Sequence, residues 1–183
     1  MKTHKTAVVL IPPEEMWEPI QTIRGRLDRN IRRWMPHITM VYPFRPPGEF
    51  AELSRRFEEV CGSFAPFRVR LAEFRYFRHS KNSHTIWLDP DPGDTISDLQ
   101  GTLSEVVPDC DEVASFPKGF TPHLSVGQAG VDVEDVIREL GEGWNPLEFT
   151  IDAINLIQRG EPPDDVFRTW GSVPLGKSGH VKS

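Results

Sequence analysis

Two short segments place a histidine and a hydroxyl residue two positions apart: Pro36-His37-Ile38-Thr39 and Pro122-His123-Leu124-Ser125. In an extended strand, residues two apart share a face and stand about 6.5–7 Å apart along the chain. His37 and Thr39 then point to one side and Ile38 and Met40 to the other; His123 and Ser125 oppose Leu124 and Val126 in the same way. Each segment thus offers an imidazole and a hydroxyl to one surface. Two imidazoles flanking a substrate suit phosphodiester chemistry, one as general base on the attacking oxygen and the other as general acid on the leaving oxygen. The two hydroxyls can donate to non-bridging phosphate oxygens as charge builds up. His4-Lys5-Thr6 has the same spacing but no preceding proline, and it puts lysine where the inward side chain belongs, so it is read as chance.

The surroundings of the two segments repeat. The β-branched run Thr6–Ile11 predicts a buried strand, and Pro13-Glu14-Glu15 opens a helix carrying Trp17, Ile20, Ile23 (or Arg24) and Leu27. The first motif strand follows, running to Tyr42, then a helix on Phe50, Leu53, Phe57 and Val60. Phe67, Val69 and Leu71 alternate as a strand whose hairpin partner is His84–Pro90. A helix on Ile96, Leu99, Leu103 and Val106 leads to the second motif strand, and a helix on Val133, Val136, Ile137 and Leu140 follows it. Residues 146–160 read as one long strand, and 165–176 as the last.

Pro66-Phe67-x-Val69-x-Leu71-x-x-Phe74-x-Tyr76 matches Pro146-Leu147-x-Phe149-x-Ile151-x-x-Ile154-x-Leu156, including a slip in alternation after 71 and after 151 that predicts a bulge. The prolines are 80 residues apart (146 − 66) and the histidines 86 (123 − 37), a difference that loops absorb. The chain therefore reads as an α+β domain, residues 1–176, in which a β-α-β unit occurs twice about a pseudo-twofold axis, with 177–183 a flexible tail.

A net charge of −6 argues against coating duplex DNA by bulk attraction, though not against a local basic cleft. Cys61 and Cys110 are too few for a disulfide framework and lack metal-ligand spacing, and neither motif supplies the three protein ligands that a catalytic zinc needs. The apolar run near the N-terminus is too short for a membrane span. The expectation is a cytoplasmic monomer with no metal and no cofactor.

The segments "PHITMVYPF" and "PHLS" resemble the paired His-x-Thr/Ser signatures of the 2H phosphoesterase superfamily, whose members include 2′-5′ RNA ligase-like proteins and 2′,3′-cyclic phosphodiesterases. The resemblance covers the chain from the first strand to about Gly176. It implies a bilobal α+β fold with antiparallel sheets flanking a central cleft, and metal-independent hydrolysis of 2′,3′-cyclic phosphates on nucleotides or RNA termini. His37 and His123 would be the acid/base pair, with Thr39 and Ser125 as phosphate ligands; serine in the second motif is a departure that keeps the hydroxyl. RNA ligation by the same site run backwards, and a non-catalytic module that binds RNA ends, are the alternatives.

Beyond these four residues, a phosphate needs cations and a base needs an aromatic surface. Arg24, Arg26, Arg29, Arg32 and Arg33 form the densest basic segment; Arg78 and Arg159 end the repeat-related strands and can reach a cleft or form salt bridges. Phe116, Lys118 and Phe120 lie in the loop before the second motif, where an aromatic ring can stack on a base and the lysine can meet a phosphate. Tyr42 shares the phase of Ile38 and is assigned to the core, while Phe44 beyond it is left open; His79 and His84 have no partner motif.

Overall fold

The computed structural model describes residues 1–176, and the predicted tail, 177–183, lies outside the described residues. Among the described residues, eight strands form two four-stranded antiparallel sheets. The first sheet has the order β2 (Ile38–Val41), β1 (Thr6–Leu10), β7 (Ala153–Gln158), β8 (Arg168–Pro174). The second runs β5 (Leu124–Ala129), β4 (Ser83–Asp91), β3 (Phe67–Ser80), β6 (Leu147–Ile151). Each motif strand is therefore an edge strand, β2 in one sheet and β5 in the other. Four helices complete the architecture: α1 (Trp17–Leu27), α2 (Phe50–Cys61), α3 (Gly93–Val106) and α4 (Val133–Glu142).

The repeat read from the sequence has a structural counterpart in the pairing of β3 with β6, where Val69 stands opposite Phe149. Those two positions are again 80 residues apart (149 − 69), so the residues that the repeat makes equivalent face each other across a local twofold axis. The phase slip, however, resolves differently in the two copies. In β3 the register shifts between Leu71 and Glu73 and the strand continues. In the second copy the chain breaks at Asp152 and changes sheets, so the single long strand expected at 146–160 is two, β6 and β7. An apolar alternation reports which face is buried but not which sheet supplies the neighbours, and the same slip serves either outcome.

One main core fills the space between the sheets and helices: Leu10, Ile38 and Met40 from the first sheet, Leu71, Ile86 and Leu88 from the second, and Phe50, Phe57 and Leu99 from the helices. Phe44 belongs here, stacked on Phe50. A second, smaller apolar cluster lies on the other face of the first sheet, where Ala7, Val9, Ile157 and Phe167 pack with Trp34, Met35 and Tyr42. Tyr42 thus lies on the face opposite the one its phase predicts. The register between β1 and β2 shifts so that Val8 meets Val41 while Val9 meets Thr39, and Met40 and Val41 both turn into the core. That bulge returns Tyr42 to the side of Thr39.

α1, which follows β1 of the first sheet in the chain, packs on β5 of the second. Its C-terminal end crosses β5 at Gly127, where a β-carbon would come within 2.8 Å of the Leu27 backbone. Only glycine permits that approach.

Candidate active site

The histidines sit at matching points, each just before its strand begins. Nδ1 of His37 lies 2.7 Å from the Met35 carbonyl oxygen, and Nδ1 of His123 lies 2.8 Å from the Thr121 carbonyl oxygen. A carbonyl only accepts, so in each ring Nδ1 carries the proton and donates to the residue two places earlier. Both rings therefore present an unprotonated Nε2 away from the backbone.

Each ring is held by aromatic neighbours as well. Trp34 stacks on His37 with centroids 4.6 Å apart and planes 19° apart, and the indole is backed on Phe167 at 4.0 Å. His123 meets the edge of Phe77 at 4.9 Å and of Trp87 at 5.9 Å. Burial pushes the His37 imidazole down to about 4; the Met35 carbonyl works against that shift, while the nearby Arg24 and His123 add to it. Burial also lowers His123, opposed by the Thr121 carbonyl. Both rings are thus biased to the neutral form, and His123 stands near enough to His37 for its charge to be felt there.

Thr39 and Ser125 follow on the same faces, half-buried, with Thr39 paired to Val9 and Ser125 to Trp87. β2 and β5 touch, so the two motif-bearing edge strands of the two sheets lie next to each other.

The other candidates are distributed differently. Arg159 follows β7 on the face of Asn155 and Ile157, with its guanidinium 5.7 Å from the centre of the Phe167 ring that backs Trp34. Its Nε is buried without a partner among the described residues. Arg78 is not brought to the motif residues: it stands opposite His84, and its phase is that of Phe74 and Tyr76, on the face packed by α4. Phe116 is 68% exposed and Lys118 is exposed, in a turn closed by the Gly119 N–H to the Phe116 carbonyl at 2.7 Å. Phe120 packs against the main core. His79 bonds Thr85, and His84 is buried under Tyr76.

The basic segment is largely spoken for. Arg32 and Arg33 both bond the buried Asp165 carboxylate and hold its pKa down to about 2. Arg24, 2% exposed, donates to Asp28 at 2.9 Å, to Gln21 at 3.0 Å and to the Trp34 carbonyl at 2.9 Å. Its place on the apolar face of α1 is visible in the sequence; its partners are not. The sequence does hold one signal for Trp34: it precedes His37 by three residues, as Phe120 precedes His123.

Among the described residues, no group of three or more His, Cys, Asp or Glu side chains is placed to hold a metal ion, and no helix is long and apolar enough to cross a membrane.

Two edge strands of a pseudo-symmetric pair of sheets, each bearing a backbone-anchored histidine and a hydroxyl, define a two-histidine phosphoesterase fold. The model of the 2′-5′ RNA ligase superfamily matches residues 12–163, and the chain belongs to that family. A protein of Geobacillus kaustophilus, named for an inferred phosphoesterase activity, is 25% identical over 161 residues, covering 86% of this chain and 89% of its own length. The same fold is seen in TT0787 of Thermus thermophilus, with a TM-score of 0.66, 18% identity, and coverage of 94% of this chain and 99% of that one. Escherichia coli LigT superposes with a TM-score of 0.63 at 14% identity, covering 97% of this chain and all of LigT, and has also been solved with phosphate and with 3′-AMP.

Proposed function

We propose that the protein is a 2′,3′-cyclic phosphodiesterase acting on nucleotides or RNA termini, with His37 and His123 as the acid/base pair and Thr39 and Ser125 as phosphate ligands. The observation that carries this reading is the shared anchoring of the two rings: both donate Nδ1–H to the carbonyl two residues back and keep Nε2 free. Free Nε2 atoms on two rings suit in-line displacement at phosphorus. One Nε2 takes a proton from the attacking water. The other ring, protonated, gives its Nε2 proton to the 2′ or 3′ oxygen as the P–O bond to it breaks. The product is a nucleoside monophosphate.

A free site with two neutral imidazoles has no acid to give. Burial lowers both pKa values, and the His123 charge further disfavours charge on His37. An anionic phosphate between them reverses that balance and favours one imidazolium, so the substrate itself supplies the charge that loads the acid. LigT, which shares this fold, has been solved with phosphate and with 3′-AMP, which supports a phosphate-bearing ligand for a protein of this fold.

The test is incubation with nucleoside 2′,3′-cyclic phosphates and with cyclic-phosphate-ended RNA in excess EDTA. Turnover is expected, and it is expected to be lost in both His37→Ala and His123→Ala. Tight binding without turnover would leave a binding module instead, and loss of turnover on chelation would require a metal.

A further inference from the structure

His37 and His123 are anchored alike to the backbone but differently to the fold. The rings beside His123, Phe77 and Trp87, stand on β3 and β4, paired strands in the middle of the second sheet. The ring stacked on His37, that of Trp34, and the Met35 carbonyl that anchors it lie between Leu27 and Ile38, where the chain forms turns but no helix or strand. A segment without a ladder of its own stays in one place through its contacts with other elements. Arg24 supplies one such hold from α1, on the Trp34 carbonyl. The other comes from residues 165–167, more than 120 positions further along the chain.

The Asp165 carboxylate, 1% exposed, uses both of its oxygens on that segment. Oδ1 accepts from Arg32 at 2.7 Å, and Oδ2 accepts from Nε of Arg33 at 3.1 Å and from a terminal nitrogen of the same guanidinium. Charge-assisted bonds of this kind are the stronger and more directional ones. Two residues on, the Phe167 N–H donates to the Arg33 carbonyl at 2.8 Å, and the Phe167 ring packs on Trp34 at 4.0 Å. Side chains and backbone thus grip residues 32–34 together, directly before the Met35 anchor. Asp165 is itself set by the turn that precedes it. There the Gly160 N–H donates to the Asp164 carbonyl at 3.0 Å, and a β-carbon on Gly160 would come within 2.7 Å of that oxygen. The charges felt at His37 are those of Arg24, His123 and Asp28, so Asp165 acts on the ring through its position and not through its field.

We infer that Asp165 is the positioning residue for His37: it fixes Arg32 and Arg33, and with them the turn whose indole and carbonyl hold the imidazole, while His123 is held without it. That the Nε2 so placed faces a phosphate rests on the proposed phosphodiesterase reading; the clamp itself does not. Asp165→Asn isolates the clamp. The Arg32 and Arg33 side chains are 62% and 40% exposed, so losing the carboxylate leaves both charges solvated and strands neither in the interior. The sign of the effect on His37 separates position from field. Neutralising a carboxylate, and uncovering two guanidiniums, lowers the pKa of a nearby imidazole by charge alone. Releasing Trp34 exposes the ring, and because burial is the largest cause of its low pKa, the value then rises.

Histidine-selective NMR titration of the wild type, Asp165→Asn and Arg33→Lys tests it, with His37 and His123 assigned from their Gln variants and folding verified by urea melts. Asp165 itself does not titrate in the range used, because the two arginines hold its pKa at about 2. The expected result is a His37 pKa raised by about one unit or more in Asp165→Asn, with His123 unmoved. Arg33→Lys keeps the charge but loses the planar fork, so the same rise is expected at smaller size; this variant decides alone if Asp165→Asn does not fold. On a nucleoside 2′,3′-cyclic phosphate, Asp165→Asn is expected to lose about tenfold in kcat with KM near that of the wild type, the cost of a misplaced ring. A His37 pKa that is unchanged or lowered in the folded variants, a rise shared equally by His123, or an undiminished kcat would overturn the positioning role. Wild-type protein inactive on that substrate would overturn the functional reading, and the titration would still decide the clamp.

Discussion

The Gln128 side-chain amide donates to the Asp28 carboxylate at 3.1 Å while its carbonyl oxygen accepts from the Arg29 backbone N–H at 3.1 Å. Gln128 lies on β5, three residues beyond Ser125, and Asp28 caps the end of α1. From Asp28 the connection continues: its other oxygen accepts from Arg24, Arg24 donates to the Trp34 carbonyl, and Trp34 stacks on His37. One chain of contacts thus runs from the second motif strand to the first histidine. Residues 100 positions apart in sequence fix the relation between the two halves of the site.

Removing the first link separates positioning from bulk stability. Gln128→Ala removes two hydrogen bonds, one of them to a buried charge, at a cost of about 1–3 kcal/mol. Gln128→Glu keeps the size but sets a second carboxylate against Asp28, so near neutral pH it is expected to be the less stable of the two. Urea melts of both variants at pH 7 give the order, and a Glu variant as stable as the Ala variant would contradict it.

The buried pair itself is asymmetric in its consequences. Asp28→Ala strands the Arg24 guanidinium, which is 2% exposed and has no other carboxylate partner among the described residues. Breaking such a pair from one side costs about 3–5 kcal/mol, whereas replacing both members with apolar side chains costs far less. The double variant Arg24→Met with Asp28→Leu is therefore expected to be more stable than Asp28→Ala. Chemical denaturation of wild type, single and double variants measures the difference directly.

The pairing of a histidine and a hydroxyl on each motif strand was legible in the sequence because its signal is local. His37 and Thr39 share a face through a period of two, and the second copy carries the same period. What was illegible depends on distant partners. Nothing near Arg24 announces that the Trp34 carbonyl and Asp28 will bury it, nor that Gln128 will brace the carboxylate. Asp152 is where one strand becomes two because the neighbours change, and alternation carries no record of neighbours. Tyr42 changed face through one bulge, and Arg78 sits on the α4 face because the β3–β4 hairpin register places it opposite His84.

Acid sensitivity follows from His37. Its folded pKa is about 4 against an ordinary 6.5, so between those values the unfolded chain binds more protons than the folded one. The contribution of this residue to stability is fully present above pH 6.5 and is lost as pH falls toward 4, at no more than about 1.4 kcal/mol per pH unit. Urea midpoints measured from pH 7 to pH 4 are expected to fall less steeply in His37→Gln than in the wild type. Parallel curves would show that His37 is not the titrating group.

The same shift can be traced to the indole above the ring. Trp34 covers one face of His37, and its carbonyl, not its side chain, takes the Arg24 hydrogen bond. Trp34→Ala therefore uncovers the imidazole while leaving the Arg24–Asp28 pair its backbone acceptor. With burial the largest cause of the low pKa, the His37 value is expected to rise toward the ordinary 6.5 in Trp34→Ala and to stay closer to the wild-type value in Trp34→Phe, which keeps an aromatic face. Histidine-selective NMR titration reads this without reference to activity. An unchanged His37 pKa in Trp34→Ala would mean that the surrounding protein, and not the indole, keeps the ring neutral.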